Sequence, residues 1–361
     1  MQTHVRLAHV RTRLRDIKRI LVFACNLLGD SICRLPAIKA ARDTYPGSRI
    51  AVVADPRYAQ VFDGQPFVSE VWCLDRRGSA LTQAEAWLNV IVRARQLAPD
   101  LLLDLYGSAR TALVSRLCGA KWRSGLHTAG RSRWYNLKTD CMPQGEQGHI
   151  IEQVNSGVRP AGVDAPFTYI PISVTDDDRA TAAKALREAG CDPEHVLVLN
   201  PSARLAAKRW PAGRFGRLAL HIAEENLGQC AVLRAPGEEG LAGEVVRASG
   251  GTAVSLPVLT VKELAAVLQV ARAIVTGHTG VLHVASAMGA SSVLLGGPTD
   301  PRLVAYPGCR QIGLFHRGVC QRWEDGDECP VHADCLDPRC MTAITEEEVV
   351  DAVRELATRE K

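Results

Sequence analysis

From Arg19 onward the chain alternates short, unbroken apolar runs with stretches whose apolar residues recur at helical spacing. RILVFA (19–24), RIAVVAD (49–55), EVWCLD (70–75) and DLLLDLYG (100–107) are bounded by turn residues and read as buried strands. One helix is expected near Ile32 to Thr44, and another over AEAWLNVIVRARQLA (84–98). Continuous Val, Ile and Leu strands separated by helices predict a parallel sheet covered on both faces. Between Lys138 and Pro171 the periodicity weakens, and VTDDDRATAAKALREAG (174–190) then opens a new helix. A second strand series follows: HVLVLNPSA (195–203), CAVLRAP (230–236), TAVSLP (252–257), AIVTG (273–277) and SSVLLGG (291–297). The pattern predicts an α/β chain of two doubly wound, Rossmann-like halves facing across a cleft, with a boundary near residues 165–180. Ligands of such sheets bind beyond the carboxyl ends of the strands, so chemistry is sought in the loops that follow them.

The most informative of these loops lies in AIVTGHTGVLHVASAMGASSVLLGGPTDP (273–301), which reads as strand, glycine-bearing turn, helix, strand and glycine-proline turn. Gly277 to Gly280 suits a tight reversal, so that Thr279 to His283 open a helix whose free backbone N–H groups face an anion such as phosphate. His278 and His283 bracket this turn. A single helical histidine is ordinarily a hydrogen-bonded partner, and two at one anion site favour a binding role.

With 361 residues and 47% hydrophobic content the chain can bury a large core, and its length favours two domains. No run of 18 apolar residues is present, and the first residues lack the apolar core and cleavage site of a secretory signal, so a cytoplasmic location is expected. Cys25, Cys33, Cys73, Cys118, Cys141, Cys191 and Cys230 are scattered through strand and helix patterns, as reduced thiols are. Net charge is only +4, yet Arg6, Arg11, Arg13, Arg15, Lys18 and Arg19 face a single acid, Asp16. Leu7, Val10, Leu14 and Ile17 fall at helical spacing among them. This basic amphipathic segment either packs on the body with a solvated charged face or lies on an anionic membrane surface. Nucleic acid is not an expected partner.

Three further loops carry candidate chemistry. After the first strand, Gly29 suits a tight turn and Asp30 sits at a helix entrance, where it serves as an N-cap, as a base for an attacking hydroxyl, or as both. NPSARLAAKRWPAGRF (200–215) runs from a strand into a small polar loop, where Lys208 is either a diphosphate contact or a surface lysine. Glu238, after CAVLRAPG, can accept from ribose hydroxyls.

Taken in order, these pieces resemble the glycosyltransferase family that contains the lipopolysaccharide heptosyltransferases, glycosyltransferase family 9, from Arg19 to about Leu356. The resemblance rests on Gly29-Asp30, DLYGSARTALVSRLCGAKWRSGL (104–126), GHIIEQ (148–153), NPSARLAAKRWP, TGHTGVLH, GGPTDP (296–301) and the tail ending CMTAIT (340–345). It implies a GT-B enzyme that moves a sugar, typically heptose from an ADP-activated donor, with inversion and without a bound metal. By position, Asp30 resembles the general base and Lys208 the diphosphate contact, while Ser202, Arg204, Glu238, His278, Thr279, Gly280 and His283 fall in the donor site. The implied division is a basic extension (1–18), an acceptor-side domain (19–170), a nucleotide-sugar domain (171–345) and a C-terminal helix (346–361). The chain departs from the family where His278 stands for the usual Asp of an Asp-Thr-Gly turn, and where Arg234-Ala235 replaces paired glycines. A histidine can donate where a carboxylate only accepts, so a different heptose or nucleotide is open. The acceptor is an anionic inner-core lipid, suited to Arg110, Arg116, Lys121 and Arg123 and to peripheral contact with the inner membrane face, or else a protein or small molecule.

The Cys-rich loop 320–340 holds Cys320, Cys329, Cys335 and Cys340 with His332 among them. Four thiols suit a structural zinc or iron, though the spacing lacks tight C-x2-C pairs, and free or transiently paired thiols are the alternative. Fold does not fix reaction, so two rival classes stay open: a nucleotide-sugar epimerase or hydrolase, and a non-catalytic nucleotide-sugar-binding subunit.

Overall fold

The computed structural model describes residues 14, 16–126, 132–137, 149–306, 308–316, 318–320, 329 and 335–358. Most of the basic N-terminal segment, together with Gly148, Cys141 and His332, lies outside them. Two compact units divide the chain between Ser173 and Val174.

The first unit holds a five-stranded sheet of β1 (Arg19–Ala24), β2 (Arg49–Ala54), β3 (Glu70–Cys73), β4 (Leu101–Asp104) and β5 (Trp122–Gly125). Its spatial order is β3-β2-β1-β4-β5, and all pairs are parallel, with Ile20 opposite both Ile50 and Leu101. The second unit holds β6 (Val196–Asn200), β7 (Gln229–Val232), β8 (Ala253–Ser255), β9 (Ala273–Gly277), β10 (Ser292–Leu295) and β11 (Gln311–Leu314). Their order is β11-β10-β9-β6-β7-β8, again all parallel. Each is the doubly wound order, in which the chain starts centrally, winds to one edge and then crosses to the other side. The reversal falls between β1 and β4 in the first sheet and between β6 and β9 in the second.

Central strands are apolar because helices cover both of their faces: β4, β6, β9 and β10 are buried at every residue. The edge strands β5 and β11 are half-exposed, so WRSG and QIGL carry no unbroken apolar run and escape a search for one. Weak periodicity after Lys138 likewise hides a helix, Ile150–Val158. Its buried face includes Asn155, Ser156 and Gly157. A Cβ on Gly157 would stand 3.2 Å from the Gly125 carbonyl carbon, so this small residue lets the helix lie close against β5. The Ser124 hydroxyl donates to the Gly157 carbonyl at 2.6 Å across the same contact.

The helix expected near Ile32 is two helices, Leu28–Ile32 and Leu35–Thr44. Asp30 is therefore not an N-cap: that position is Leu27, and Asp30 lies in the first turn, where a carboxylate complements the helix dipole. Gly29 is likewise a buried helical residue with ordinary negative φ rather than the pivot of a turn. Leu14 and Ile17 are buried, which anchors the chain just before β1. None of the described helices is long and apolar enough to cross a membrane.

Candidate functional site

In the second unit the site forms where the strand order reverses. β6 ends in Asn200, which is 2% exposed, and β9 carries Thr276, which is fully buried. The Asn200 amide donates to the Thr276 hydroxyl at 2.8 Å, to the Thr279 hydroxyl at 3.1 Å and to the Ser202 carbonyl at 3.4 Å. One buried amide thus ties the loop after β6 to the turn after β9. Thr279 is the N-cap of the helix Gly280–Met288, yet its hydroxyl is engaged with Asn200 and makes no capping bond. The first N–H groups of that helix therefore keep their capacity for an anion at the carboxyl edge of the sheet.

Lys208 joins the same place by a backbone contact. It closes a 3-10 turn, Ala206–Lys208, and a Cβ on Gly277 would lie 2.9 Å from its carbonyl oxygen. Gly277 is needed for that space and not for a reversal, because neither Gly277 nor Gly280 adopts positive φ. His283 is buried in the first turns of the helix, and its ring centroid lies 5.7 Å from that of His278. Arg204 is exposed on the loop that carries Lys208.

Glu238 stands at the start of the helix Glu239–Ala248, beyond β7. Its Oε1 pairs with Arg209 at 3.3 Å, while Oε2 is buried with no hydrogen-bond partner. Arg234 Nε, on the loop leading to Glu238, is also buried without a partner. A buried acceptor and a buried donor left unsatisfied within five residues mark a place where a polar ligand would relieve a cost of about 1–3 kcal/mol each.

In the first unit Asp30 occupies the corresponding reversal point, between β1 and β4. Its side chain is 41% exposed and Oδ1 lies 3.9 Å from the guanidinium of Arg34, one helical turn on. Arg34 is 2% exposed; Nε donates to the Leu105 carbonyl after β4 at 2.8 Å and Nη1 to the Asp30 carbonyl. Burial depresses the Arg34 pKa, and the Asp30 carboxylate opposes that shift. Below it, fully buried Asp104 accepts from Gly107 N at 2.9 Å and from the Tyr135 hydroxyl at 2.8 Å, although burial still pushes its carboxyl up. Arg76 donates to the Cys25 carbonyl and to the Tyr106 hydroxyl, each at 2.7 Å, and so ties the loops after β1 and β4 together.

Asn200, Thr276, Arg209, Arg34 and Arg76 were not among the expected site residues. Only Arg34 left a readable signal, as the cation four residues after Asp30.

The Cys-rich tail holds a separate position. Cys329 N donates to the Pro298 carbonyl at 3.0 Å, and the methionine after Cys340 fills the space beside Gly297. None of these four cysteines is joined in a disulfide, and burial pushes the Cys340 thiol up to about 11. Among the described residues no three His, Cys, Asp or Glu side chains are arranged to hold a metal ion.

Residues 88–319 match the family model of glycosyltransferase family 9 (heptosyltransferase). A lipopolysaccharide heptosyltransferase 1 of Pseudomonas aeruginosa is 27% identical over 350 residues, covering 91% of this chain and 89% of its own. The crystal structure of a family 9 glycosyl transferase from Veillonella parvula superposes with a TM-score of 0.77 at 21% identity, over 94% of this chain and 97% of that one. Escherichia coli heptosyltransferase WaaC with ADP-2-deoxy-2-fluoro heptose gives 0.68 at 22% identity, over 93% and 99%. The fold is the GT-B type, with two parallel-sheet Rossmann-like units.

Proposed function

Because the chain belongs to glycosyltransferase family 9, the heptosyltransferase family, we propose that it moves a heptose from an ADP-activated donor to a hydroxyl of a lipopolysaccharide-core acceptor, with inversion and without a catalytic metal. The observation that carries this reading is the convergence of Asn200, Thr279 and the Lys208 backbone where the second sheet reverses. An uncapped helix start beside a lysine-bearing loop suits a diphosphate.

In this reading Lys208 and the amides after Thr279 take the charge that develops on the departing ADP, with Ser202, Arg204 and His278 around them. Glu238 accepts from the ribose hydroxyls, and Arg234 donates to the nucleotide. His283, buried in the same helix with its ring centroid 5.7 Å from that of His278, belongs to the donor site with it. Asp30 acts as the base. The acceptor oxygen bonds to the anomeric carbon as the bond from that carbon to the diphosphate breaks; ADP leaves with the electron pair, and the acceptor proton passes to the Asp30 carboxylate. Arg34, locked to the Leu105 carbonyl, keeps that carboxylate at the end of β1. The likeness to a protein solved with ADP-2-deoxy-2-fluoro heptose supports the donor class, and the basic, acid-poor segment after β4 supports an anionic acceptor. Such an acceptor fits action at the cytoplasmic face of the inner membrane.

Titration with ADP and ADP-sugars, followed by assays of donor hydrolysis and of transfer, tests this. Asp30→Ala is expected to keep donor affinity and lose about 10²–10⁴ in turnover. Normal transfer by that variant removes Asp30 as the base, and turnover of donor without acceptor favours a hydrolase or epimerase. Nucleotide-sugar binding with neither reaction favours a binding subunit.

A further inference from the structure

Five of the eleven exposed large apolar side chains among the described residues fall on two neighbouring helices of the first unit: Leu81, Leu88 and Val92 on Ala80–Leu97, and Leu113 and Leu117 on Ala109–Leu117. At about 100° per residue the first three form one stripe, and the last two are one turn apart. Both helices cover the same face of the sheet, since Trp87, Val90, Ala94 and Val114 share one core cluster with Leu21, Phe23 and Val53. The exposed stripes are therefore their outward faces.

Charge identifies what covers them. Arg110 and Arg116 are exposed beside Leu113 and Leu117, and Glu85 is the single acid on the two helices. From Leu105 to Thr139 the sequence holds no Asp or Glu at all. The half-exposed rings of Trp122 and Trp134 stand under cations, Lys121 at 5.8 Å and Arg133 at 5.1 Å. Trp122 and Trp134 lie on segments that touch the helix Ala109–Leu117, and leucines interleaved with arginines match the boundary of an anionic bilayer, where apolar tips enter the acyl region and cations stay at the headgroups. A second copy fits poorly, because a twofold pairing would bring together two copies of the same arginine-bearing, acid-poor face.

We propose that the first unit docks on an anionic lipid surface through the outward faces of Ala80–Leu97 and Ala109–Leu117. The surface deepens the inner-membrane part of the proposed function and shares its basic segment, and its test reads lipid partitioning, not donor binding or transfer.

Full-length protein is sedimented with phosphatidylcholine vesicles, with and without phosphatidylglycerol. Binding is expected only with the anionic lipid. The pair Arg110→Gln/Arg116→Gln is expected to lower partitioning about tenfold or more, since each basic side chain near such a surface contributes about fivefold. The pair Leu88→Gln/Leu113→Gln is expected to lower it comparably at unchanged melting temperature, because both side chains are solvent-exposed. The proposal is overturned by equal binding to neutral vesicles, or by both pairs binding within twofold of the parent. A concentration-dependent dimer that the leucine pair dissociates, with vesicle binding unaltered, assigns the face to a second copy and also overturns it.

Discussion

Gly277→Ala offers the sharpest test of the donor site, because one methyl group acts on one identified atom. Its Cβ would stand 2.9 Å from the Lys208 carbonyl oxygen, whereas ordinary contact begins near 3.4 Å. About half an ångström must be found between two backbones, and neither has a flexible end that can swing aside. Gly277 closes a fully buried strand paired on one side to β6 and on the other to β10, so the displacement falls on the Lys208 loop. Half an ångström is about the whole tolerance of a pre-organised binding site. A misplaced charge-assisted contact loses about 1.5–3 kcal/mol, or roughly 10- to 150-fold in affinity. Overpacking itself costs about 1–3 kcal/mol of stability. Calorimetric titration with ADP, paired with thermal unfolding of Gly277→Ala, Lys208→Ala and the double variant, reads both effects. If the methyl acts through Lys208, the double variant binds no more weakly than Lys208→Ala alone. Wild-type ADP affinity in Gly277→Ala, or fully additive losses in the double variant, would refute the argument that this glycine seats the lysine.

Two further outcomes follow from groups elsewhere in the second unit. Arg234→Gly removes a buried N–H without a partner, so stability is expected to hold or rise while affinity for an ADP-sugar falls about tenfold; affinity within twofold of the parent excludes Arg234 from nucleotide recognition. Partial burial alone would raise the Glu346 carboxyl, but Arg217, whose Nε donates at 2.9 Å, and neighbouring Arg214 outweigh it and hold it below its usual range. Its contribution is therefore present above the unfolded-state pKa and lost as pH falls through the lower folded value. Glu346→Gln should cost under about 1 kcal/mol at neutral pH, because Arg217 is largely exposed, and nothing measurable at an acid pH below the folded value, where the carboxyl is protonated. Urea midpoints at the two pH values check this, and an equal deficit at both would show that the loss is one of packing.

What could be read in advance depended on whether a feature is local. β1, β4, β6 and β9 were legible because burial on both faces forces unbroken apolar runs, whereas the points where the strand order reverses come from the structure alone. Asp30, Lys208 and Thr279 stand out in the sequence because each is polar and follows such a run within a few residues. β5 and β11 were not, since an edge strand covered on one side needs no apolar run. The helix Ile150–Val158 was hidden for a related reason: a close approach to β5 selects Gly157 and Ser156, and these erase the helical period.

The residues that hold the site together escaped because their partners are remote in sequence. Asn200 acts on Thr276 and Thr279, 76 and 79 positions away, and Arg34 reaches Leu105 across 71. Each spans the junction between the first and fourth strands of its own sheet, where no main-chain ladder continues beyond the strand ends. A doubly wound sheet opens a crevice at that junction because its connections diverge to opposite sides. The same divergence leaves the crevice without local support, so a buried side chain has to bridge it. In the second unit the bridge is a neutral amide, which binds two hydroxyls and leaves the neighbouring helix start for an anion. In the first it is a guanidinium, which holds two carbonyls and sets its charge beside a carboxylate. Under the proposed function, exchanging them would place a cation in competition with Lys208 for the donor diphosphate and leave Asp30 without its counter-charge. On that proposal the two bridges are matched to opposite charges, the amide to a site that would receive an anion and the arginine to a site that presents one.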